Sequence, residues 1–577
     1  MPTNLLRTSA TWLALAACSF SPGVAQSRQP AQTAADQHTL IPPVRPFQLA
    51  PRVGVLAEER ISLDQALAMA LANNKDIESS RIDQQEADYN LIAAQGAYDP
   101  AFIGNNLWEK QITPVASTLG GSATGALLNR LWQVDPSFSG AAPWFGGSYR
   151  TDFSNQRVFT DNSFITLNPQ YPTTLSLQYT QPLWRGLHYD SNRHAIEVAK
   201  KNRSLTDEQF RQRVMTVVEQ AEQAYWELAY AYNNLQVQLE GVDIARQQDE
   251  SNRRQEEQGL LAPIDVVAAQ TQLATFELGA YSAQTALTRA ENNLKTLLFA
   301  DRESPLWSSA LIPSTPVNTE APVIPLASAV DEALANRPEV AALRISGEIN
   351  EKDTRYYREL TKPQVDVTAS YSRAGLAGPQ VPLGPNPFTG AFGPLIDRLN
   401  ALSSAAGLPP LSFSFGGGNT TPELLVGGYG QSLSNLWAGN FPTTEVQLRI
   451  SLPIRNRTAE ANIGHSLAEG RRIRNQREQV AQGIEADVRN AMQAIQSAQM
   501  GLQSARVARE SAEQQYESEQ RQFRAGTSTL FLVQQRQSTM ITARSQERRA
   551  EADLAEAIAL FGFARASNLR EHNITLK

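Results

Sequence analysis

The segment ISLDQALAMALAN at Ile61–Asn73 returns later in the chain as IPLASAVDEALAN at Ile324–Asn336, and the match continues without a gap into the pattern that follows. A second pair repeats in the same order: YPTTLSLQYTQPL at Tyr171–Leu183 and FPTTEVQLRISLPI at Phe441–Ile454. Self-similarity at a long, fixed spacing is the signature of a duplicated structural unit. The 577-residue chain is therefore predicted to contain two tandem copies of one unit.

After the second pair, each copy enters a long stretch whose apolar residues alternate at spacings of four and three. They are Val217, Ala221, Ala224, Leu228, Ala231 and Leu235 in the first copy, and Ile484, Val488, Ala491, Ile495, Ala498 and Leu502 in the second. This 3.5-residue period is typical of a coiled-coil seam. From about Asn192 to Glu257 no strong helix breaker interrupts it, which at 1.5 Å per residue gives a rod of roughly 100 Å. A filamentous coiled coil is the simplest alternative, and the segments between the rods argue against it.

Those intervening segments alternate apolar and polar residues with the period of two that a strand requires. In the first copy Leu175, Leu177 and Tyr179 share one face, and in the second Val446 and Leu448 do so. AFIGNNLW and QVDVTASYSR supply one further strand in each copy. No window offers 18 consecutive apolar residues, so only a closed barrel could cross a bilayer. Four strands cannot close alone, and the chain is predicted to oligomerise.

Two long connections, at about 113–146 and 374–442, separate the paired strands. Long loops on one side of a sheet and short turns on the other are typical of outer-membrane barrels. Directly after the first connection, Ser148–Phe159 either extends a strand or forms an extra hairpin. Much of 374–440 fits a surface insertion without fixed structure equally well.

The first 25 residues carry one early cation, a short apolar run and small residues, as in an export signal. Leu15–Cys18 resembles a lipobox, in which Cys18 is acylated and becomes the first mature residue. Cleavage after Ala25 is the alternative, and it would remove Cys18, the chain's single cysteine. No disulfide is expected in either case. Residues 26–60, rich in Gln, Ala and Pro, are predicted to form an extended tether.

Composition and motifs argue against several other classes. The 51 basic and 58 acidic residues give a net charge of -7 and are spread along the helical patterns, which disfavours nucleic acid as a partner. HExxH, Walker and nucleophile-elbow motifs are missing, and the five histidines are scattered. We therefore predict no enzyme activity and no catalytic, cofactor or metal site. His188 and His194 are expected to face solvent at a strand-to-helix junction.

The duplicated openings, the TQPLWRG and SLPIRNR junctions, and the paired GLLAPIDVVAAQ and GTSTLFLVQQRQ segments resemble the TolC family of outer-membrane efflux and secretion channels. The resemblance covers about residues 61–565. It implies a mixed, mainly α fold and a homotrimer. Four strands per chain would form a 12-stranded outer-membrane β-barrel, continuous with a long periplasmic α-helical coiled-coil barrel. Polar strand faces line water in such a barrel, so the expected lumen-facing residues are Ser176, Gln178, Arg449 and Ser451.

The predicted division of the chain follows the duplication. Repeat 1 spans 61–298, with strands at about 100–183 and a helical hairpin turning at residue 259. A linker at 299–323 leads to repeat 2 at 324–565, with strands at about 363–454 and a hairpin turning at residue 526. Residues 566–577 form a C-terminal tail.

The resemblance also implies a role and partners. The chain would be the passive exit duct of a tripartite efflux pump in the Gram-negative outer membrane, with a long periplasmic extension. Its partners would be outer-membrane lipid, a periplasmic adaptor and an inner-membrane pump of the RND, ABC or MFS type. One alternative is the outer-membrane component of a type I secretion system. From another class, a soluble periplasmic scaffold or adaptor would lack the duplicated strands. The sequence does not indicate the cargo.

A glycine ends the longest rod in each copy, at Gly259 and Gly526, and Pro263 suits the first turn of the helix that follows. Each stretch is therefore predicted to be the tip of a helical hairpin. By resemblance, the tips dock the adaptor and surround a periplasmic aperture. The docking residues would be Gly259, Leu260, Leu261, Gly526 and Thr527, and the aperture residues Asp265, Phe523, Arg524 and Leu532.

Asp265 matches a carboxylate of the family's closed-aperture network, but the second tip departs from the pattern. Where the family has an arginine and two carboxylates, this chain has Ser528, Leu532 and Gln535. Arg521 or Arg524 could still meet Asp265 across the hairpins. Alternatively, Asp265 is a helix-start carboxylate stabilised by the helix dipole. Closure would then rest on apolar packing of Leu260, Phe523, Phe531 or Leu532.

Overall fold

The computed structural model describes residues 47–116, 125–318, 320–382, 387–411 and 421–576. Cys18, the predicted signal region and most of the predicted tether lie outside these residues. The first copy contains β1 (Ala57–Ile61), α1 (Leu63–Asn73), α2 (Lys75–Gln95), β2 (Ala101–Pro114), β3 (Ala126–Ala141), β4 (Ser148–Thr160), β5 (Thr173–Pro182), α3 (Ser191–Glu257) and α4 (Pro263–Leu298). The second contains β6 (Ser309–Pro313), α5 (Leu326–Asn336), α6 (Pro338–Leu360), β7 (Gln364–Gly375), α7 (Pro387–Ala405), α8 (Tyr429–Ala438), β8 (Phe441–Ser451), α9 (Arg457–Arg524), α10 (Leu530–Ala564) and α11 (Asn568–Glu571).

The order of elements confirms the duplication. Helices α1, α2, α3 and α4 of the first copy recur as α5, α6, α9 and α10, and strands β2 and β5 recur as β7 and β8. In the described residues, the main difference between the copies lies between their two shared strands. The first copy inserts β3 and β4 there, and the second inserts α7 and α8.

The main sheet has six strands in the order β2-β3-β4-β5-β7-β8, and every neighbouring pair is antiparallel. The expectation of four strands per chain is therefore too low. Strand β4 forms the second strand of an extra hairpin, one of the two possibilities predicted for 148–159. Strand β3, the first strand of that hairpin, lies within the connection predicted at about 113–146. Its apolar and polar residues alternate only over a short stretch, at 132–139, and Pro136 interrupts that stretch. Proline is unusual within a paired strand, so the sequence argued against one here.

Two long helical hairpins adjoin this sheet: α3 with α4, and α9 with α10. Helices α3 and α9 have 67 and 68 residues, which corresponds to about 100 Å each. Each begins with a side-chain cap: Asp190 accepts from the amide of Arg193, and Asn456 from that of Ala459. The predicted seam is buried or half-buried throughout, as its 3.5-residue spacing requires.

The two long helices are not equally covered. Helix α3 has 19 buried residues and α9 has nine. Helix α3 packs against α2, α4, α6 and α10, whereas the main neighbours of α9 are α5, α6 and α10. The unequal packing leaves one side of α9 open to solvent in the single chain.

The N-terminal segment lies against the first hairpin from residue 47 onward. The carbonyls of Gln48 and Ala50 accept hydrogen bonds from Tyr281 and Gln284 of α4, at 3.3 and 2.6 Å. Further along, β1 pairs in parallel with β6. The described part of the predicted tether is thus bound to the helices, because its backbone finds partners on α4 and on the linker between the copies.

The C-terminal tail is also packed against the helices. Asn568 is 1% exposed and donates to the carbonyl of Met215 on α3 at 3.0 Å. His572 forms an ion pair with Glu222, which is 3% exposed. None of the helices in the described ranges is long and apolar enough to cross a membrane.

Candidate functional site

The two hairpin tips have the same backbone geometry. Gly259 and Gly526 adopt φ angles of +72° and +75°, the left-handed region in which a Cβ is strained. The amide of the residue after each glycine, Leu260 or Thr527, donates to the carbonyl five residues earlier, at 2.9 and 3.0 Å. These bonds satisfy carbonyls that the helix end would otherwise leave without a partner. Both turns are helix-terminating glycine motifs.

The returning helices start at equivalent positions by different means. Helix α4 has Pro263 as its first residue, and its N-cap Ala262 makes no side-chain hydrogen bond. Helix α10 uses Thr529 as its N-cap, whose hydroxyl oxygen accepts from the amide of Leu532 at 3.4 Å. The first tip therefore relies on the fixed φ of proline and the second on a side-chain cap.

The tips present apolar side chains to solvent. Leu260, Ile264 and Phe531 are 74%, 71% and 70% exposed, and Leu532 is 37% exposed. Phe523 instead packs against the core shared by α3, α4, α9 and α10. Of the residues expected to close an aperture by apolar packing, Leu260, Phe531 and Leu532 are available on the surface, and Phe523 is engaged within its own chain.

Asp265 is the third residue of α4, where a carboxylate interacts favourably with the helix dipole. Within the described part of the chain its carboxylate makes no ion pair. Arg521 lies 4.0 Å from Glu517, and Arg524 is exposed. The contact with Arg521 or Arg524 that the sequence left open is therefore not made within one chain.

The second tip carries a network that the sequence did not predict. The Ser528 hydroxyl donates to Glu519 on α9. Arg536 lies 4.0 Å from the same carboxylate and donates to Gln515 at 2.8 Å. Polar groups at this tip are thus used to join α9 to α10 within its own hairpin.

A buried polar layer lies on the tipward side of the core. Asp249 and Asn252 of α3 are 1% and 0% exposed, and Gln537 of α10 is 1% exposed. Asp249 accepts from Arg253 at 2.9 Å, while its second oxygen, the Asn252 amide nitrogen and the Gln537 amide nitrogen have no hydrogen-bond partner. The sequence contained the signal, because Asp249 and Asn252 continue the spacing of four and three beyond Val242 and Ala245. Polar residues at seam positions specify helix register.

The main sheet has one polar and one apolar face. Ser176 pairs with Asp152 and Ser372, and Arg449 pairs with Asp366. Directly paired residues point to the same side of a sheet. The four residues expected to face a lumen therefore share one face: Ser176, Gln178, Arg449 and Ser451.

The opposite face is apolar and open to solvent in the single chain. Phe102, Trp108 and Val446 on this face are 73%, 69% and 71% exposed, and Leu177 and Leu448 are 48% and 58% exposed. Soluble monomers rarely expose a contiguous apolar surface of this kind. The face requires an apolar environment or a partner.

The strand-to-helix junction corrects the expectation for His194. Its Nε2 lies 2.7 Å from Asp353 of α6, and its ring stacks on Tyr356 at 4.4 Å, so the side chain is only 19% exposed. Helix α6 covers this part of α3, a contact between the two copies that no local pattern indicates. Nearby, burial raises the pKa of Tyr189, whose hydroxyl donates to Glu197 at 3.2 Å. Within the described ranges, no group of three or more His, Cys, Asp or Glu side chains is arranged to hold a metal ion.

Comparison with known proteins supports this description. A sequence model described as "Outer membrane efflux protein" matches residues 147–298 and 401–560, more than half of the chain. Solved structures that share the fold include CusC, CmeC and OprN. CusC is 14% identical, with a TM-score of 0.60 over 90% of this chain and 98% of CusC. The Campylobacter jejuni CmeC outer membrane channel is 14% identical, with a TM-score of 0.59 over 93% and 98%. The outer-membrane channel OprN is 13% identical, with a TM-score of 0.59 over 88% and 90%. A search of curated protein sequences found no relative.

Proposed function

This chain belongs to the outer membrane efflux protein family, and on that premise we propose that it is the exit duct of a tripartite efflux pump in the outer membrane. The observation that carries the proposal is the two-faced sheet joined directly to two long helical hairpins. An exposed apolar face suits lipid, and a polar face suits a water-filled lumen. The hairpins extend that wall by about 100 Å, a length suited to crossing the periplasm.

We propose a homotrimer, because one six-stranded sheet has two open edges. Lipid does not tolerate unpaired strand edges, so the sheet must be closed by other copies. In the trimer, Ser176, Gln178, Arg449 and Ser451 line the lumen. The open side of α9 contacts a neighbouring copy.

The hairpin tips form the periplasmic end of this duct. Their exposed side chains, Leu260 and Phe531 foremost, offer an apolar surface to a periplasmic adaptor. Leu532 and Asp265 contribute to the aperture. An inner-membrane pump of the RND, ABC or MFS type supplies the energy, and the duct itself is a passive conduit. At the other end of the chain, we propose that Cys18 is acylated and anchors the mature N-terminus, which the intact mass of the mature protein tests.

Site-directed spin labelling tests whether the apolar face of the main sheet contacts lipid. Labels at 177 and 448 in protein reconstituted in vesicles should contact lipid-soluble oxygen. Labels at the neighbouring positions 178 and 447, on the polar face, should contact a water-soluble nickel complex instead. Equal exposure to water at all four positions would exclude a lipid-facing wall.

Membrane fractionation separates this function from that of a soluble periplasmic scaffold. The duct should be recovered in the outer-membrane fraction, as an oligomer that dissociates in detergent only on heating. Recovery in the soluble periplasmic fraction would favour the scaffold.

A further inference from the structure

Both edge strands of the main sheet are long and unpaired on one side. Strand β2 has 14 residues and β8 has 11, and every residue of both is exposed. Strand β2 runs away from the helices and β8 runs back toward them, so β8 of one copy would meet β2 of the next in the antiparallel sense that the whole sheet uses. A second copy of this chain is therefore the occupant that fits each edge.

The additional hairpin β3–β4 has one apolar and one polar face, as expected for part of a barrel wall and not for a surface loop. Val134 and Phe138 of β3 and Phe153 of β4 lie on the same face as Leu177. Asp152 lies on the opposite face with Ser176. The hairpin thus continues the apolar and polar faces of the strands that both copies share.

The register of the sheet gives the stagger of its strands. One line of directly paired residues crosses all six strands: Ala101, Ser139, Arg150, Gln178, Ser370 and Glu445. Ala101 is the first residue of β2, but Glu445 lies six residues before Ser451, the last residue of β8. Ala101 and Ser451 are the strand ends next to the helices, so the line of paired residues drifts by six residues over the five steps from β2 to β8, about one residue per strand.

The displacement of this line from the helix-side strand ends begins in β3 and β4 and increases toward β7. Arg150 lies two residues after Ser148, the first residue of β4, and Ser370 lies six residues after Gln364, the first residue of β7. A drift of one residue per strand is that of an eight-stranded barrel with a shear of eight, whose strands tilt by about 36°. The sheet is therefore already shaped as part of a closed, tilted barrel that includes β3 and β4.

We propose that three copies close through β8 of one and β2 of the next into an 18-stranded barrel, six strands from each copy. This proposal rests on the trimeric duct proposed above and replaces the 12-stranded wall expected by resemblance. With strands about 4.8 Å apart and tilted by about 36°, 18 strands give a backbone diameter of about 34 Å, against about 23 Å for 12. The duct would accordingly have a wider outer section.

The strand ends also fix the register between copies. If Ala101 lies opposite Ser451 of the next copy, Asn105 lies opposite Gln447, both on the polar face. Within one chain the two positions are on opposite edges, five strand spacings or about 24 Å apart. That separation is too large for an intrachain disulfide.

Disulfide trapping in native outer membranes tests the closure. The double variant Asn105→Cys/Gln447→Cys should form disulfide-linked dimers and trimers on mild oxidation. The variants Ile103→Cys/Gln447→Cys and Leu107→Cys/Gln447→Cys detect a register shifted by two residues in either direction. The unmodified protein, whose single cysteine is Cys18, gives the background.

The matched control is Asp152→Cys/Gln447→Cys. It places the first cysteine on β4, which would be the edge strand if β2 and β3 lay outside a 12-stranded wall. Cross-linking of this pair in place of the β2 pairs would overturn the proposal and leave the proposed function standing. The proposal also fails if an intact trimer cross-links with none of the pairs. A monomer in the unmodified protein would count against the proposed function itself.

Cysteine variants that do not assemble are recognised by the loss of the heat-sensitive oligomer under reducing conditions. The strand count in a cryo-electron microscopy map of the unmodified trimer then decides the question independently. Eighteen strands support the proposal and twelve overturn it.

Discussion

The position of Asp265 could be predicted from the sequence, but its role depends on which charged groups lie near it. It lies in the first turn of α4, and it makes no ion pair within the described part of its own chain. Three such carboxylates about 8 Å apart in water would repel by only about 0.5 kcal/mol per pair. We therefore expect Asp265→Ala to reduce the preference for cations in planar bilayers while resting conductance changes little.

Asp265→Asn is the control that keeps the side-chain volume. It should reproduce the loss of selectivity, because the effect depends on charge. A several-fold rise in resting conductance with either variant would show that Asp265 takes part in an electrostatic lock between copies.

His572 provides a pH-dependent contact at the C-terminus. Its hydrogen bond with Glu222 raises its pKa above 6.5, and Asp64 and Glu571 act in the same direction. A group whose pKa is higher in the folded state stabilises fully below its unfolded pKa, and that stability is lost as the pH rises through the folded pKa. We expect the thermal unfolding temperature to fall as the pH rises above about 6.5, and His572→Gln to flatten that fall.

Glu556 titrates in the same direction and must be separated from His572. Burial raises its pKa to about 7, from 4.5. Its protonated form is favoured in the folded state, so stability again falls as the pH rises from 4.5 toward 7. The two contributions separate if unfolding is followed against pH in Glu556→Gln, with and without His572→Gln. A slope above pH 7 that survives the double substitution would show that neither group causes it.

At the level of single residues, the sequence predicted positions better than contacts. Gly259 and Gly526 could be identified because a glycine between two long helical patterns commonly terminates the first helix. The burial of Phe523 and the hydrogen bond from Ser528 to Glu519 depend on which helices lie side by side. The local spacing of residues does not contain that information. His194 was misplaced for the same reason, since its partner Asp353 lies in the other copy.

Among the elements, the hairpin tips make a quantitative prediction. Gly526 has a positive φ and open space around it, so Gly526→Ala should cost about 1–2 kcal/mol through backbone strain alone. Gly483 sits inside α9, also in open space and without a positive φ. Gly483→Ala should therefore stabilise by about 0.5–1 kcal/mol.

Thermal unfolding of the two variants side by side provides the measurement. The same methyl group is added in both variants, but the backbone at Gly526 is left-handed and that at Gly483 is helical. The unfolding temperature is therefore expected to fall for Gly526→Ala and to rise for Gly483→Ala. If both variants shift in the same direction, the tip conformation in solution differs from the left-handed turn.

The long helices and all four predicted strand regions are present, the latter as β2, β5, β7 and β8. Most of them could be predicted because their apolar residues recur with the period of their own element. The sequence underestimated the sheet because the alternation in β3 is short and contains Pro136, which cannot donate to a strand ladder. Pairing with β2 and β4 on both sides stabilises the strand nevertheless. Strand formation there depends on neighbours that are close in space. The buried layer at Asp249 and Asn252 was missed for a different reason: the spacing was present, but polar side chains obscured it.

At the scale of the whole molecule, the duplication is only approximate, and the differences indicate how copies assemble. Helix α3 is enclosed by its own chain, while α9 leaves Met500 and Val507 exposed at 60% and 59%. The two lie seven residues apart, on one stripe of the helix. Helix α4 exposes Leu278 at 70%. In the proposed trimer, these surfaces are the ones left for contact between helices of adjacent copies.

Val507→Glu tests this assignment, because a charge placed in an apolar contact between copies must be buried or must separate them. We expect the temperature at which the trimer dissociates in detergent to fall by several degrees, while the helix content of the chain is unchanged by circular dichroism. Val507→Ala should have a smaller effect, since it only reduces the apolar area. Ala508→Glu adds the same charge at the adjacent exposed position, 100° around the helix. A similar loss of trimer stability in Ala508→Glu would mean that charge on α9 matters in general, and that the stripe through Met500 and Val507 is not the contact between copies.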